Sequence, residues 1–164
     1  AADYISSHEM KKSVEELVLE KQAVYMELIP EIELCDGVRQ ILEQYRGTLE
    51  LAVASSSHKR EIVAILESHG IADYFSEVIG GDMVTKKKPD PEIYLKVQSL
   101  LGVSVTECLA FEDSGHGLNA AKNAGMYGVA IPNRFTRTHD FSRADLVIGS
   151  LAEVNDDLLL QLIE

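Results

Sequence analysis

The sequence is poor in positive charge. Against 27 Asp and Glu residues it has only 15 Lys and Arg residues, which gives a formal net charge of -12 over 164 residues. No larger basic cluster compensates locally, so we expect no nucleic acid partner. An acidic surface also repels anionic metabolites in general. Any phosphate-binding site must therefore depend on a few placed donors or on a metal ion.

Cysteines and long apolar segments are also scarce. Cys35 and Cys108 lack the paired spacing of a zinc site or a redox motif, and we expect both to be buried thiols in a reducing compartment. The chain shows no apolar run behind a basic start, and no uncharged apolar stretch of about 18 residues. The sequence therefore predicts neither a signal peptide nor a membrane span, and the expected location is the cytoplasm.

Helical periodicity is the main pattern before residue 48. Apolar residues at helical spacing predict an amphipathic helix over residues 7–28 with one face to bury, and Ser6 with Glu9 fits a capping box. A second helix is predicted with Asp36 as its N-cap and with its end near Gly47.

Beyond residue 48, strands alternate with helices. The predicted strands are 49–54, 78–79, 107–111, 127–131 and 146–148, and the helices between and after them lie near 62–70, 91–101, 118–124 and 158–163. This order predicts an α/β fold in which helices cover both faces of a parallel sheet. Ligands of such sheets bind at the carboxyl ends of the strands, so the loops after the strands are the expected site.

Three serines, Ser55 to Ser57, follow the first predicted strand at the start of a helix. Unpaired N–H groups at a helix start favour an anion, so a phosphate group fits there. In the alternative, one serine caps the helix and the others form a turn, and on local grounds this is the simpler interpretation.

Three lysines follow the second strand. Lys88 directly precedes Pro89, whose ring restricts the backbone, so its charge can be aimed at a phosphoryl group. For Lys86 and Lys87 a solvated basic loop is the favoured interpretation.

Two adjacent carboxylates, Glu112 and Asp113, close the third strand, and Gly115 and Gly117 follow. Mg²⁺ prefers a few carboxylates together with waters and phosphate oxygens, so this pair fits magnesium. Asp113 or Ser114 can equally serve as a helix cap, and the two functions do not exclude each other. Because the three loops share one edge of the sheet, they predict a site for a metal-bound phosphoryl group.

The order of serine, Lys-Pro and Glu-Asp at successive strand ends resembles the haloacid dehalogenase superfamily, in its β-phosphoglucomutase-like branch of sugar phosphatases and phosphomutases. The stretches that carry the resemblance are 51–57, 88–94 and 108–126. The resemblance implies a Rossmann-like core over residues 35–164 that lacks its first, central strand. Residues 1–34 would be the remainder of a helical cap.

The resemblance also implies roles for individual residues. Ser55, with backbone amides near Ser56, would bind the transferring phosphoryl group, and Lys88 would neutralise its charge. Glu112 and Asp113 would hold Mg²⁺. His58 and Lys59 occupy positions that in some relatives approach the distal part of the substrate, but they can equally serve the helix start. The implied substrate is a small phosphorylated metabolite such as a sugar phosphate.

One departure from the family is decisive. Members carry an Asp-x-Asp motif after the central strand, where the first aspartate forms an aspartyl phosphate and the second is the general acid and base. No such motif precedes Ser55. The segment that would carry it is expected to belong to the same protein N-terminal to this chain, and we expect the chain alone to be inactive.

Other interpretations stay open. The chain could be a catalytically dead binding or regulatory protein, or it could pair with a separate chain that supplies the nucleophile. The complete protein could also be a β-phosphoglucomutase-type phosphomutase, because hydrolase and mutase share the core site. A signalling receiver domain uses similar residues, but its acidic pair comes early in the chain, whereas Glu112 and Asp113 come last.

Overall fold

The computed structural model describes residues 13–163. Its helices are α1 (Val14–Leu28), α2 (Val38–Tyr45), α3 (Lys59–Ser68), α4 (Glu92–Leu101), α5 (Gly115–Ala124) and α6 (Asp156–Ile163). Its strands are β1 (Ala52–Ala54), β2 (Glu77–Ile79), β3 (Leu109–Glu112), β4 (Tyr127–Ala130) and β5 (Leu146–Val147). Short 3₁₀ helices cover Ile29–Glu31, Ala72–Tyr74, Gly81–Met83, Val105–Glu107 and Leu151–Glu153. Strands and helices alternate from β1 onward, as predicted.

All strand pairs are parallel, but the strands form two sheets. One contains β1 and β2, and the other has the order β3-β4-β5. The predicted α/β class with parallel strands is thus confirmed. Within the described residues, no strand lies between β1 and β3 to join the two sheets.

The backbone hydrogen bonds of β1 and β3 show which edge of each strand is paired and which is free. Ser55 donates from its backbone N–H to Ile79, and Cys108 accepts from Tyr127. Backbone groups of successive strand residues point to opposite sides. The backbone of Ala54 in β1 therefore points away from β2, and that of Phe111 in β3 points away from β4. Neither edge has a strand partner within residues 13–163.

Helices cover both faces of the strands. Ala54, Ile79 and Ala110 pack in one cluster with residues of α4 and α5. On the opposite face, the neighbouring strand residues Val53 and Val78 pack against α2 and α3. Phe111 lies in a third cluster with residues of α2, β4 and α6. The alternation of side chains along each strand thus places apolar residues on both faces, as a doubly covered sheet requires.

Helix α1 begins later than predicted. Ser13 is its N-cap and forms a capping box with Glu16, with a 3.1 Å bond from the Glu16 N–H to the Ser13 hydroxyl. The predicted box of Ser6 and Glu9 lies outside the described residues. The buried residue of α1 is Gln22, which accepts from Arg60 of α3 at 2.6 Å. The large apolar side chains Val18, Leu19, Val24, Met26 and Leu28 are exposed. No described helix has the length and apolarity that a membrane crossing needs.

The turn before α2 corrects two predictions. Gly37, at φ 84°, is the N-cap of α2, and Asp36 accepts from the Ser150 hydroxyl at 3.2 Å. A Cβ at position 37 would overlap the backbone of Ala152, so the close approach and the positive φ both favour glycine. Cys35 is exposed, and Cys108 is only partly buried. The expectation of two buried thiols was therefore wrong, because Cys35 lies at the surface beside this turn.

Candidate active site

The serine loop after β1 leaves capping to another residue. His58, in extended conformation, is the N-cap of α3, and its N–H donates to Glu61 at 3.2 Å. The interpretation that one serine caps this helix was therefore wrong. Ser55 accepts from the Ser57 N–H at 3.2 Å through its Oγ, so its hydroxyl proton is available for another acceptor.

The loop after β2 holds the serine loop in place. Asp82 accepts from the Lys59 N–H at 2.8 Å, and Gly81 donates to the Ser57 carbonyl at the same distance. The bond from Lys59 is the main cause that lowers the pKa of Asp82. A Cβ at Gly81 would overlap the backbone of Ser56, and a Cβ at Gly80 would overlap the backbone of Lys59 at the start of α3. The contact between the loops after β1 and β2 was not predicted from the sequence, although the adjacent glycines Gly80 and Gly81 were an available signal.

The three lysines after β2 differ in their surroundings. Lys86 is solvated and lies 3.5 Å from Asp90. Lys87 is exposed, but its ammonium donates to the Gly81 carbonyl. It therefore stabilises the loop after β2 in addition to carrying a charge. The Lys88 side chain is largely buried, and its ammonium donates to Oε1 of Glu112 at 2.5 Å and to the Ala54 carbonyl at 3.0 Å. Lys88 is thus the lysine directed into the site, as its place before Pro89 suggested.

Glu112 and Asp113 have different surroundings at the end of β3. Glu112 is buried, and its Oε1 accepts from Lys88 and from the hydroxyl of Tyr94. Asp113 is exposed, and its Oδ2 accepts from the Asn133 side chain at 2.8 Å. Asp113 is not needed as a cap, because Ser114 caps α5 by accepting from the Gly117 N–H at 3.1 Å.

Two residues of this site were missed in the sequence. Tyr94 lies in α4, where its helical spacing is that of a core residue, and its hydroxyl reaches Glu112 from the core side. Asn133 follows β4 and holds Asp113. Its position after a strand end was the available signal, because the other site residues occupy equivalent positions.

One cleft of about 890 Å³ brings the predicted residues together. Its lining includes all five of them: Ser55, Ser56, Lys88, Glu112 and Asp113. It also includes Ala54, the last residue of β1, and Phe111, the next-to-last residue of β3, so the cleft opens between the free edges of these two strands. A hydroxyl, an ammonium and two carboxylates therefore meet at the carboxyl ends of parallel strands.

The donor set of the cleft fits magnesium in type. Glu112 and Asp113 supply hard carboxylate oxygens, and in each carboxylate only one oxygen is engaged by the partners described above. Mg²⁺ is commonly bound through one or two carboxylates, with waters and substrate phosphate completing its shell. The described part of the chain has no group of three acidic, His or Cys residues able to hold a metal. Further ligands would therefore come from water, phosphate or another segment.

The order and geometry of these residues agree with the comparison to known families. A family model described as "Haloacid dehalogenase-like hydrolase" matches residues 1–131. The chain belongs to the haloacid dehalogenase-like hydrolase family. The predicted membership of a hydrolase family is thus confirmed.

Relatives of this haloacid dehalogenase-like chain include phosphatases by name. The putative phosphatase YhcW of Bacillus subtilis (strain 168) is 44% identical over 112 residues, which are 68% of this chain and 51% of YhcW. The phosphorylated carbohydrates phosphatase of Thermotoga maritima is 36% identical over 163 residues, which are 97% of this chain and 70% of that protein. The chain thus spans about half the length of YhcW.

A mutase is among the similar structures. The crystal structure of β-phosphoglucomutase from Clostridium difficile superimposes with a TM-score of 0.81 at 25% identity, covering 98% of this chain and 72% of the mutase. The likeness confirms the fold class and the β-phosphoglucomutase-like branch that the motifs indicated.

Proposed function

We propose that the complete protein hydrolyses a phosphate monoester of a small metabolite, with a sugar phosphate as the expected class. The observation that supports this most is the single cleft in which Ser55, Lys88, Glu112 and Asp113 meet. The name of the Thermotoga maritima relative, which acts on phosphorylated carbohydrates, agrees with this class. With a net charge of -12, neither nucleic acid nor an anionic membrane suits the surface. We propose a cytoplasmic enzyme.

The proposed roles of the site residues follow from their charges and hydrogen-bond donors. In the proposal, Ser55 donates its hydroxyl proton to a phosphoryl oxygen, and the backbone N–H of Ser56 adds a second donor. The Lys88 ammonium balances negative charge on the phosphoryl group. When bound at Glu112 and Asp113, Mg²⁺ would supply further positive charge to the phosphoryl oxygens. Fixed charges of this kind stabilise a phosphoryl-transfer transition state more than they stabilise the ground state.

The nucleophile is proposed to come from a segment N-terminal to this chain in the complete protein. That segment would supply one strand between β1 and β3, followed by an aspartate that forms the aspartyl phosphate and by a second aspartate for proton transfer. Two observations support the proposal: the sheets have facing free edges, and YhcW is about twice as long as the stretch it shares with this chain. The exposed apolar residues of α1 agree with a remainder of a helical cap over residues 1–34.

The test is expression of the complete reading frame and assay against a panel of sugar phosphates. We expect magnesium-dependent release of phosphate, with a loss of at least about 100-fold in kcat/KM for Lys88→Ala and for Asp113→Asn. Lys86→Ala is the matched control, because Lys86 is exposed outside the cleft. Absence of turnover with magnesium, or full activity of both site variants, would reject the proposal.

The same assay separates hydrolase from mutase. Hydrolysis releases inorganic phosphate, whereas a mutase converts one sugar phosphate into its isomer without net release. The 164-residue chain alone is expected to show no turnover, since no Asp-x-Asp motif precedes Ser55. Magnesium-dependent phosphatase activity in the purified chain would instead point to a nucleophile within these residues.

A further inference from the structure

The amide side chain of Asn133 connects the loop after β4 with Asp113. Asn133 lines the cleft, and its Nδ2 donates to Oδ2 of Asp113 at 2.8 Å. Its Oδ1 accepts from the backbone N–H of Phe135 at the same distance. Because the amide oxygen is engaged by this turn, the amino group is the part of the side chain that faces Asp113. The turn therefore fixes the orientation of the amide.

Further hydrogen bonds hold the turn that carries this amide. The backbone N–H of Asn133 donates to Oγ1 of Thr136 at 3.0 Å, and its carbonyl accepts from the N–H groups of Thr136 and Arg137. Thr136 is 9% exposed, whereas the other residues from 133 to 139 lie at the surface. The donor to Asp113 therefore belongs to an ordered turn with a buried anchor.

The two carboxylates of the site differ in the number of donors that hold them. Glu112 is buried, and both Lys88 and Tyr94 donate to its Oε1. Asp113 is exposed, and Asn133 is its only hydrogen-bond donor within residues 13–163. Loss of one donor leaves Glu112 held by the other. Loss of the Asn133 amide leaves the Asp113 side chain free to rotate.

A carboxylate binds a cation more tightly when a neighbouring group already holds it in the required orientation. Groups that are hydrogen-bonded to metal ligands typically contribute about 10- to 100-fold in metal affinity or activity. We infer that Asn133 is a positioning residue, which holds Asp113 by Oδ2 and leaves Oδ1 to Mg²⁺. The amide acts only through Asp113, so its role is not catalytic. The inference rests on the metal site of the proposed function.

Asn133→Ser in the complete protein tests the inference. The serine hydroxyl can still accept from the Phe135 N–H, because serine forms the same kind of turn, but it is too short to hold Asp113. Calorimetric titration with MgCl₂ measures the affinity without turnover, and we expect Mg²⁺ to bind about 10-fold more weakly. In the phosphatase assay the half-saturating Mg²⁺ concentration should rise by the same factor, while kcat at saturating Mg²⁺ stays within about threefold.

His139→Ala is the matched control. The Gly115 N–H donates to Nδ1 of His139 at 3.3 Å, which is a second contact between this loop and the start of α5 that does not involve Asp113. If docking of the loop were the whole effect, both variants would weaken Mg²⁺ binding. We expect the Mg²⁺ affinity of His139→Ala to stay within about twofold of wild type. Near-ultraviolet circular dichroism verifies that both variants fold.

Three results would overturn the inference: unchanged Mg²⁺ affinity in Asn133→Ser, equal weakening in His139→Ala, or a fall in kcat without a change in Mg²⁺ affinity. Absence of Mg²⁺ binding by the wild-type complete protein would overturn it together with the proposed metal site. The proposed hydrolysis is judged separately by phosphate release. A wild-type protein that hydrolyses sugar phosphates with Mg²⁺, alongside an Asn133→Ser variant of equal Mg²⁺ affinity, would reject the positioning role alone.

Discussion

The ammonium of Lys88 lies 2.5 Å from Oε1 of Glu112, and these side chains are only 10% and 8% exposed. The same ammonium donates to the carbonyl of Ala54. One lysine therefore connects the last residue of β1 with the last residue of β3, across two sheets that share no strand pairing. Each buried charge depends on the other to offset its desolvation.

The first prediction concerns this ion pair. Lys88→Met leaves the Glu112 carboxylate buried without its cation, and we expect the free energy of unfolding to fall by about 3 kcal/mol at pH 7. Lys86→Met removes a lysine side chain that is 71% exposed, and it should cost less than about 1 kcal/mol. Urea denaturation of both variants measures the difference. Losses of equal size would contradict a buried pair.

The second prediction concerns the free strand edges. A peptide with the sequence of the strand that we propose to lie N-terminal to this chain should bind between β1 and β3. It should slow hydrogen exchange at Ala54 and Phe111, whose backbone groups point to the gap. Exchange at Val53 and Ala110 should not change, because these amides already face β2 and β4. The same peptide with a central proline is the control. Protection of all four amides alike, or of none, would exclude strand insertion.

The third prediction concerns Gly117 in the first turn of α5. Replacing an exposed helical glycine with alanine usually stabilises a protein by up to about 1 kcal/mol. Here the new Cβ would overlap the Glu112 carboxylate, so Gly117→Ala should instead reduce the free energy of unfolding by about 2 kcal/mol. Thermal and urea unfolding give the sign. A stabilised variant would show that Glu112 moves aside without cost.

The fourth prediction concerns alkaline pH. Burial raises the pKa of Tyr45 to about 12, and the hydrogen bond to Asp156 and its charge contribute. A phenol in the unfolded chain ionises near pH 10, about 2 units lower. The stabilising contribution is therefore complete below about pH 10 and is lost as the pH rises through about 12.

Tyr45→Phe tests this dependence. At pH 7 the variant should be less stable by about 1 kcal/mol, the value of one buried hydrogen bond. The difference from wild type should shrink above about pH 10. In an alkaline absorbance titration, wild type minus variant should show a phenolate step near pH 12. A step near pH 10 would mean that Tyr45 is solvated.

The features that could be predicted from the sequence are those whose signal lies in adjacent residues. Lys88 could be predicted, because Pro89 beside it marks a rigid turn at a strand end. Glu112 and Asp113 could be predicted as site residues because adjacent carboxylates follow an apolar strand, although a helix cap was an equal alternative for Asp113. The catalytic and metal-binding roles given to these residues remain predictions.

Contacts between distant segments could not be read in this way. A tyrosine at helical spacing such as Tyr94 is typical of a core residue, and only the packing of α4 against β3 brings its hydroxyl to Glu112. Asp36 looked like a helix cap, but the approach of Gly37 to Ala152 decides the turn. In each case the deciding partner is remote in sequence.

The free edges of β1 and β3 bear on how the chain behaves in concentrated solution. Exposed edges are templates for strand addition by another molecule. At a net charge of -12, mutual repulsion keeps chains apart at low ionic strength. Added salt reduces the range of this repulsion to about 8 Å at 0.15 M. Self-association through these edges should therefore increase with salt, and a strand that fills the gap should act as a solubilising partner.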